Sequence, residues 1–452
     1  MSDQRNLIIA IGLSLAILLG FQFFFEAPRQ ERMQRLAEQQ AAEQAKEASQ
    51  GPDGSLIPTA PAQSGAPGAP TTGSIPGAPA MHAAPGATRN AALKRLPRVP
   101  VNGARLGGSI ALKGGRIDDL TLLDYKTTID DGSPAVTLFS PQDAPRPYFG
   151  QFGWIPIGEL KVPDSKTVWQ ADHPSVQPSR PLTLSWDNGQ GVRFIQVIEI
   201  DDNFMMTVTQ RVENSSTQAI STHPYGRIAR THTPDTLGFY ILHEGPLAVF
   251  NDTLKEVDYD DLQEGPADAT KSTGGWIGIT DKYWLAALIP DQKEPYTGTF
   301  RYSQPNKQDT YQADFMTQAP QVIAPGATAQ TVSHIFVGAK EVNLLDRYEV
   351  QLGIARFDLA VDFGWFYFLT KPLFFVLDYF FKMLGNFGLA ILLLTVCVKA
   401  IFFPLANKSY KSMSKMKALQ PEMTKLKERH GGDRTKMNQE MMALYKKEKV
   451  NP

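Results

Sequence analysis

Residues 383–405 read MLGNFGLAILLLTVCVKAIFFPL, an apolar run interrupted by a single charge, Lys399. As a helix this run would be about 34 Å long, enough to cross the hydrocarbon core of a bilayer. From Lys408 to Pro452, ten Lys and two Arg stand against four Glu and one Asp, a net of +7 in a chain whose formal charge is −1. Short segments rich in Lys and Arg stay on the cytoplasmic side, so the basic tail orients the crossing. The chain is not lipid-embedded throughout, because 20% of its 452 residues are charged.

Leu7–Phe25 forms a second apolar run, broken only by Ser14 and Gln22. Its roughly 28 Å again matches a bilayer. A cleaved signal peptide is the competing reading, but Phe23-Phe24-Phe25-Glu26 lacks the small residues a peptidase requires, and the n-region carries Asp3 beside Arg5. Residues 1–26 are therefore expected to be an N-terminal transmembrane anchor with its N-terminus in the cytoplasm. Phe357–Phe381 is apolar and aromatic but carries Asp362, Lys371, Pro372 and Asp378. If it were a further crossing, the basic tail would end outside. Residues 357–381 are therefore expected to form an interfacial amphipathic helix kinked at Pro372, with 383–405 as the second transmembrane helix.

Between these membrane segments lie two regions of different character. Residues 27–96 are rich in Pro, Ala and Gly with few large apolar side chains, which predicts a flexible linker after a frayed helix over Glu31–Gln50. Residues 97–348 show short alternating runs, such as Phe194–Ile200 and Phe204–Val212, separated by turn residues. That pattern predicts a large all-β sandwich. Trp276, Tyr283 and Trp284 are expected in its core, with stacking on a sugar as the competing reading.

The residues that carry chemistry cluster at the C-terminal end. Lys399 lies eight residues before Asn407, and an ammonium at that depth faces protein, water or a partner. Thr395 is one turn away on the same helix face. The pair forms a polar stripe that suits a water-accessible groove, although a lysine snorkelling to the interface is the competing account. Residues 406–452 are read as a basic helical hairpin. Met416, Leu419, Met423 and Leu426 form one seam, and Met437, Met441 and Leu444 the other, with Pro421 predicting a kink or helix start. Lys408, Lys411, Lys415, Met416, Lys417, Lys425, Lys427 and Arg429 are the candidate contacts to a partner, either anionic lipid or ribosomal RNA. A plain seam and a solvated face are the bland alternatives.

Enzyme signals are thin. HExxH, Walker A and GxSxG patterns are missing, and Cys397 is the only cysteine, so thiolate metal clusters and internal disulfides are excluded. No cofactor is expected. His243-Glu244 is the one acid/base candidate, and such neighbours are commonly structural.

Gly385-Asn386-Phe387-Gly388, Thr395, Lys399 and Pro404-Leu405 resemble the first core helix of the YidC-type membrane protein insertases (YidC/Oxa/Alb family). Tyr410, Ser412-Met413, Lys415-Met416, Leu419-Gln420-Pro421, Gln439–Lys446 and Glu448–Pro452 follow in the same order. Asp362-Phe363-Gly364-Trp365 and Lys371-Pro372-Leu373-Phe374 resemble the family's interfacial helix, Gly274-Gly275-Trp276 its periplasmic domain, and Gln4-Arg5-Asn6 the start of Gram-negative members.

The resemblance implies a multi-domain protein of the bacterial inner membrane. It would have an all-β periplasmic supersandwich, α-helical transmembrane segments and a cytoplasmic hairpin, and would act as an insertase and chaperone without catalysing a chemical reaction. It implies a hydrophilic groove that receives nascent membrane proteins, alone or with Sec translocon components, and a hairpin that meets the ribosome or signal-recognition components. The family's groove charge is usually Arg, so Lys399 departs from it and offers a point charge in place of a bidentate fork. The family also places three or more membrane helices after this region, so the chain is expected to carry one wall of the groove. A membrane-tethered periplasmic module that binds carbohydrate or an envelope protein is the alternative function.

Overall fold

The computed structural model describes residues 75–76, 88–236, 242–265, 268–364, 366–430 and 434–447. The Leu7–Phe25 anchor, the Glu31–Gln50 helix, most of the linker, Gly431-Gly432 and Glu448–Pro452 lie outside the described residues. The chain divides into two compact units, whose described parts run up to Tyr367 and from Phe368.

The first unit opens with a short helix, α1 (Arg89–Leu93), whose N-cap Thr88 accepts from the Ala91 amide. Strands follow in chain order: β1 (Arg98–Asn102), β2 (Leu106–Ala111), β3 (Arg116–Lys126), β4 (Ala135–Phe139), β5 (Tyr148–Ile157), β6 (Gln170–Ala171), β7 (Leu182–Asp187), β8 (Val192–Ile200), β9 (Met205–Asn214), β10 (Ile220–Thr231), β11 (Gly245–Phe250) and β12 (Thr253–Glu256). Helix α2 (Tyr259–Glu264) precedes β13 (Asp268–Thr273), β14 (Gly275–Thr280), β15 (Trp284–Ile289), β16 (Pro295–Ser303), β17 (Thr310–Thr317), β18 (Gln321–Ile323) and β19 (Thr328–Ala339). They form a ten-stranded sheet in the order β1-β2-β3-β5-β10-β17-β16-β13, with β4 on β3 and β18 on β10. A nine-stranded sheet has the order β12-β11-β14-β15-β19-β9-β8-β7-β6.

Alternation explains the strands. β9 buries every second residue from Met206 to Asn214, as a half-covered strand with a period of two must. One continuous core joins the two sheets, with Ile117, Phe152, Trp154 and Phe315 from the first and Phe194, Val208, Ile277 and Ile335 from the second. Trp276 is fully buried and Trp284 packs at the core's edge, whereas Tyr283 is 58% exposed, which corrects its expected place in the core. Gly274 and Gly275 turn the chain with positive φ, and a Cβ on Gly275 would collide with the Val249 carbonyl.

The β unit does not end at residue 348. Helix α3 (Val342–Leu352) buries Leu344, Leu345 and Tyr348 and stops at Gly353 in the left-handed conformation. The chain then buries Ile354 and a short 3-10 turn, Phe357–Ala360. The Phe357 ring meets Trp276 edge-on at 5.6 Å, and Trp276 donates its indole N–H to the Arg356 carbonyl at 3.3 Å. The expected interfacial helix over 357–381 is corrected accordingly. Its first residues are core of the β unit, and the helix begins at Tyr367.

Glu341, at the N-cap position of α3, accepts from both Arg105 and the Tyr125 hydroxyl, tying the start of α3 to the turn before β2 and to β3. Burial alone would raise the Glu341 carboxyl, but these donors outweigh it and hold it below the ordinary glutamate range.

Phe357→Ala should lower β-unit stability by about 3–5 kcal/mol in thermal unfolding, the usual cost of emptying an aromatic site, while Val350→Ala, at an exposed position of α3, should leave it nearly unchanged. Because the Glu341 pKa is depressed in the folded state, its contribution is present above the ordinary glutamate range and is lost as pH falls through the folded value. The stability gap between wild type and Glu341→Gln should therefore be widest at neutral pH and close on acidification.

Candidate functional site

In the second unit, α4 (Tyr367–Leu384) carries Pro372 within it, and Asp378 and Lys382 pair one turn apart at 2.6 Å. Gly385, with φ of 67°, ends α4. The Asn386 side chain then accepts from the Leu389 amide at 3.1 Å and starts α5 (Phe387–His430). Met383 and Leu384 thus close α4, which corrects the expected crossing over 383–405. The expected boundary at 405/406 is likewise no boundary in the backbone. One helix of 44 residues runs through both Pro404 and Pro421. Each proline deletes one backbone donor, and the flanking turns keep theirs, so Pro421 neither starts nor ends a helix here.

Among the described residues α5 is the one helix long and apolar enough to cross a membrane, with a mean hydropathy of 2.4 in its apolar window. Leu389, Ile391, Leu392, Val396, Ile401, Phe402, Phe403 and Leu405 are exposed on it. Leaving such side chains in water costs about 1.5–3 kcal/mol each relative to full burial, so lipid or protein must meet them.

Thr395 and Lys399 are both exposed and lie four residues apart on one face. The Thr395 hydroxyl donates to the Ile391 carbonyl at 2.8 Å, so its proton is held by its own helix while the oxygen keeps accepting capacity. At 100° per residue, buried Ala390 and half-buried Leu393, Leu394 and Cys397 fall on the other side of the helix, and half-buried Val398 lies at the flank. The polar pair therefore sits on the side that the unit leaves open. Sequence spacing indicated the shared face but not which face packs.

Past Lys408, α5 meets α6 (Arg434–Lys447), which returns along it; the Tyr445 hydroxyl donates to the Met423 sulfur at 3.5 Å. Leu419 is buried, and Met416, Met423, Leu426, Met437, Met441 and Leu444 are half-buried, while their helix neighbours are mostly exposed. Met416, read from the sequence as a partner contact, thus lies on the seam. Lys408, Lys411, Lys415, Lys417, Lys425, Lys427 and Arg429 are all exposed, as are Met413 and Met442. Tyr445 was missed by sequence reasoning; its place one residue past Leu444 on the apolar stripe was the available signal.

His243 and Glu244 do not face a common point. The His243 ring lies 3.0 Å from the Pro246 carbonyl through Nε2 and 3.4 Å from Asp258 through Nδ1, whereas Glu244 accepts from the Lys282 amide at 3.0 Å. Both hold backbone. Among the described residues no group of His, Cys, Asp and Glu is placed to hold a metal.

Comparison with known proteins divides the chain within α4. Residues 98–376 match the family described as the YidC periplasmic domain, and residues 379–452 match the 60Kd inner membrane protein family. The membrane protein insertase YidC of Methylobacterium radiotolerans is 45% identical over 461 residues, covering all of this chain and 74% of that protein. That of Bradyrhizobium diazoefficiens is 41% identical over 464 residues, again covering all of this chain and 74% of the relative. Among solved structures, a galactose mutarotase related enzyme from Lactobacillus acidophilus aligns with a TM-score of 0.37 and 8% identity, over 53% of this chain and 97% of that one. The two family matches and the whole-length identity agree: the chain belongs to the YidC family of membrane protein insertases.

Proposed function

We propose that the Thr395–Lys399 face of α5 forms one side of the hydrophilic groove through which the insertase receives the polar part of a nascent membrane protein. The observation that carries this reading is an ammonium and a hydroxyl on the open side of the apolar helix, opposite its packed side. A cation at that depth attracts the acidic residues of a substrate before they cross, and its Coulomb energy is large where the local dielectric is low. As a point charge, Lys399 attracts a carboxylate without fixing its orientation.

The remaining topology is proposed to follow from charge. Leu7–Phe25 crosses outward from a cytoplasmic N-terminus, the β unit lies in the periplasm, α4 lies in the interface and α5 returns to the cytoplasm, so the protein is multi-pass. The exposed cations from Lys408 to Arg429 then project into the cytoplasm, where they suit ribosomal RNA, signal-recognition components or anionic lipid. Cooperation with the Sec translocon is part of the same proposal. The alternative of a membrane-tethered module for carbohydrate or envelope proteins is not favoured, since the relatives that match the whole chain are insertases.

In an in vivo insertion assay, Lys399→Glu should reduce protease-protected substrate at least tenfold when the translocated segment is acidic. Lys399→Arg should retain insertion, and the thermal unfolding of the β unit should not change. Insertion unaffected by the charge reversal would remove the groove from the account. At the hairpin, replacing Lys425, Lys427 and Arg429 together with Ala should weaken ribosome binding. The slope of log affinity against log salt should flatten by about two to three if the three cations contact phosphates. An unchanged slope would place the RNA contact elsewhere.

A further inference from the structure

The ten-stranded sheet turns one face into the sandwich core. Its other face, along β5, β10 and β17, carries residues brought into line by the strand register. Arg227 lies between Gln151 and Asp314, and Tyr225 lies between Gly153 and Met316. An outer sheet face is ordinarily wet, yet Arg227 is 2% and Asp314 0% exposed. Part of the cover is a dipeptide from far along the chain. Ile75, 5% exposed, packs on Ile155 and Tyr225 with Met316 beside them. The Arg227 guanidinium donates to the Pro76 carbonyl at 2.6 Å through Nη1 and to the Gln151 side chain at 2.6 Å through Nη2.

The fit has two local causes. Gly153 has no side chain, so the Tyr225 ring lies across β5; a Cβ there would come within 2.7 Å of the Tyr225 hydroxyl. Tyr225 laid flat forms the floor on which Ile75 rests. On the ligand side, a residue before proline is confined to extended backbone and proline has a fixed φ, so little conformational freedom is lost on docking. Proline also has no amide N–H to leave without a partner in the groove. Between Gly51 and Thr88 the large apolar residues are Leu56, Ile57, Ile75 and Met81, and the Ile-Pro pair occurs twice there, at Ile57-Pro58 and Ile75-Pro76.

We propose that this face of the β unit is a docking groove for an extended Ile-Pro segment, and that Ile75-Pro76 of the chain's own linker is its resident ligand. Arg227 reads the proline carbonyl, and the apolar surface of Tyr225 and Ile155 reads the isoleucine. A tethered segment is present at an effective concentration on the order of millimolar, so a small contact holds it. The linker is then not one uniform tether, because the β unit grips it at Ile75-Pro76. This inference is independent of the insertase groove on α5.

The test uses the full chain with Cys397→Ser and a single thiol introduced by Met316→Cys, alkylated with a water-soluble maleimide. Ile75→Asp should speed labelling at least tenfold with the β-sheet circular dichroism signal retained and the melting temperature lowered by only a few degrees, as loss of a tethered ligand requires, and Ile57→Asp should do neither. A synthetic peptide spanning residues 72–79 should slow labelling of the Ile75→Asp protein again, and the same peptide with Asp at position 75 should not. Equal labelling rates in the Ile75→Asp and parent proteins would overturn the proposal. So would acceleration by Ile57→Asp alone, acceleration only with loss of the β-sheet circular dichroism signal, or no protection by the Ile-Pro peptide.

Discussion

One ammonium on an apolar helix constrains the rest of this molecule. Lys399 sits among side chains that water does not solvate well, and the helix that carries it leaves that side open while Ala390, Leu394 and Cys397 pack on the other. A helix facing lipid all round would not bear a lysine and a threonine at this spacing, and a helix buried all round would not expose Phe402 and Phe403. On the proposed reading the segment meets lipid, water and protein on different sides. That is the physical requirement of a device that passes polar chain into a bilayer, and it accords with the membership of the chain in an insertase family.

The β unit is built on the opposite rule. Its apolar residues are inside, its two sheets share one core, and its C-terminal edge is fastened by Glu341 to Arg105 and Tyr125 and by Phe357 to Trp276. Charged side chains are also covered, and around Arg227 on the outer face the guanidinium is satisfied by a proline carbonyl and a glutamine. A buried guanidinium persists only when its donors are matched, so the groove is specified by polar satisfaction as much as by shape.

What was legible in the sequence followed from periodicity. The alternation over Phe194–Ile200 and Phe204–Val212 marked β8 and β9 because a pleated strand covers every second residue. The 3-4-3 spacing of Met416, Leu419, Met423 and Leu426 marked the residues that are least exposed along that stretch of α5. Strand order was not legible, because β19 on β9 and β10 between β5 and β17 are pairings across long sequence separations with no local signal. The stretch from Phe357 was misassigned because aromatic composition suits a core and an interface equally. Ile75 could not be singled out in a low-complexity linker, since its significance depends on an apolar surface formed far away by Tyr225 and Ile155.

The central claim is that the Thr395–Lys399 face of α5 meets water while the opposite face does not. The most direct measurement is the reactivity of single cysteines placed along this helix in native membranes toward a charged, membrane-impermeant thiol reagent. The account predicts fast modification at Thr395→Cys and Lys399→Cys, with protection at Leu394→Cys and at the native Cys397. Uniform protection across all four positions, or a maximum on the Leu394–Cys397 side, would contradict it.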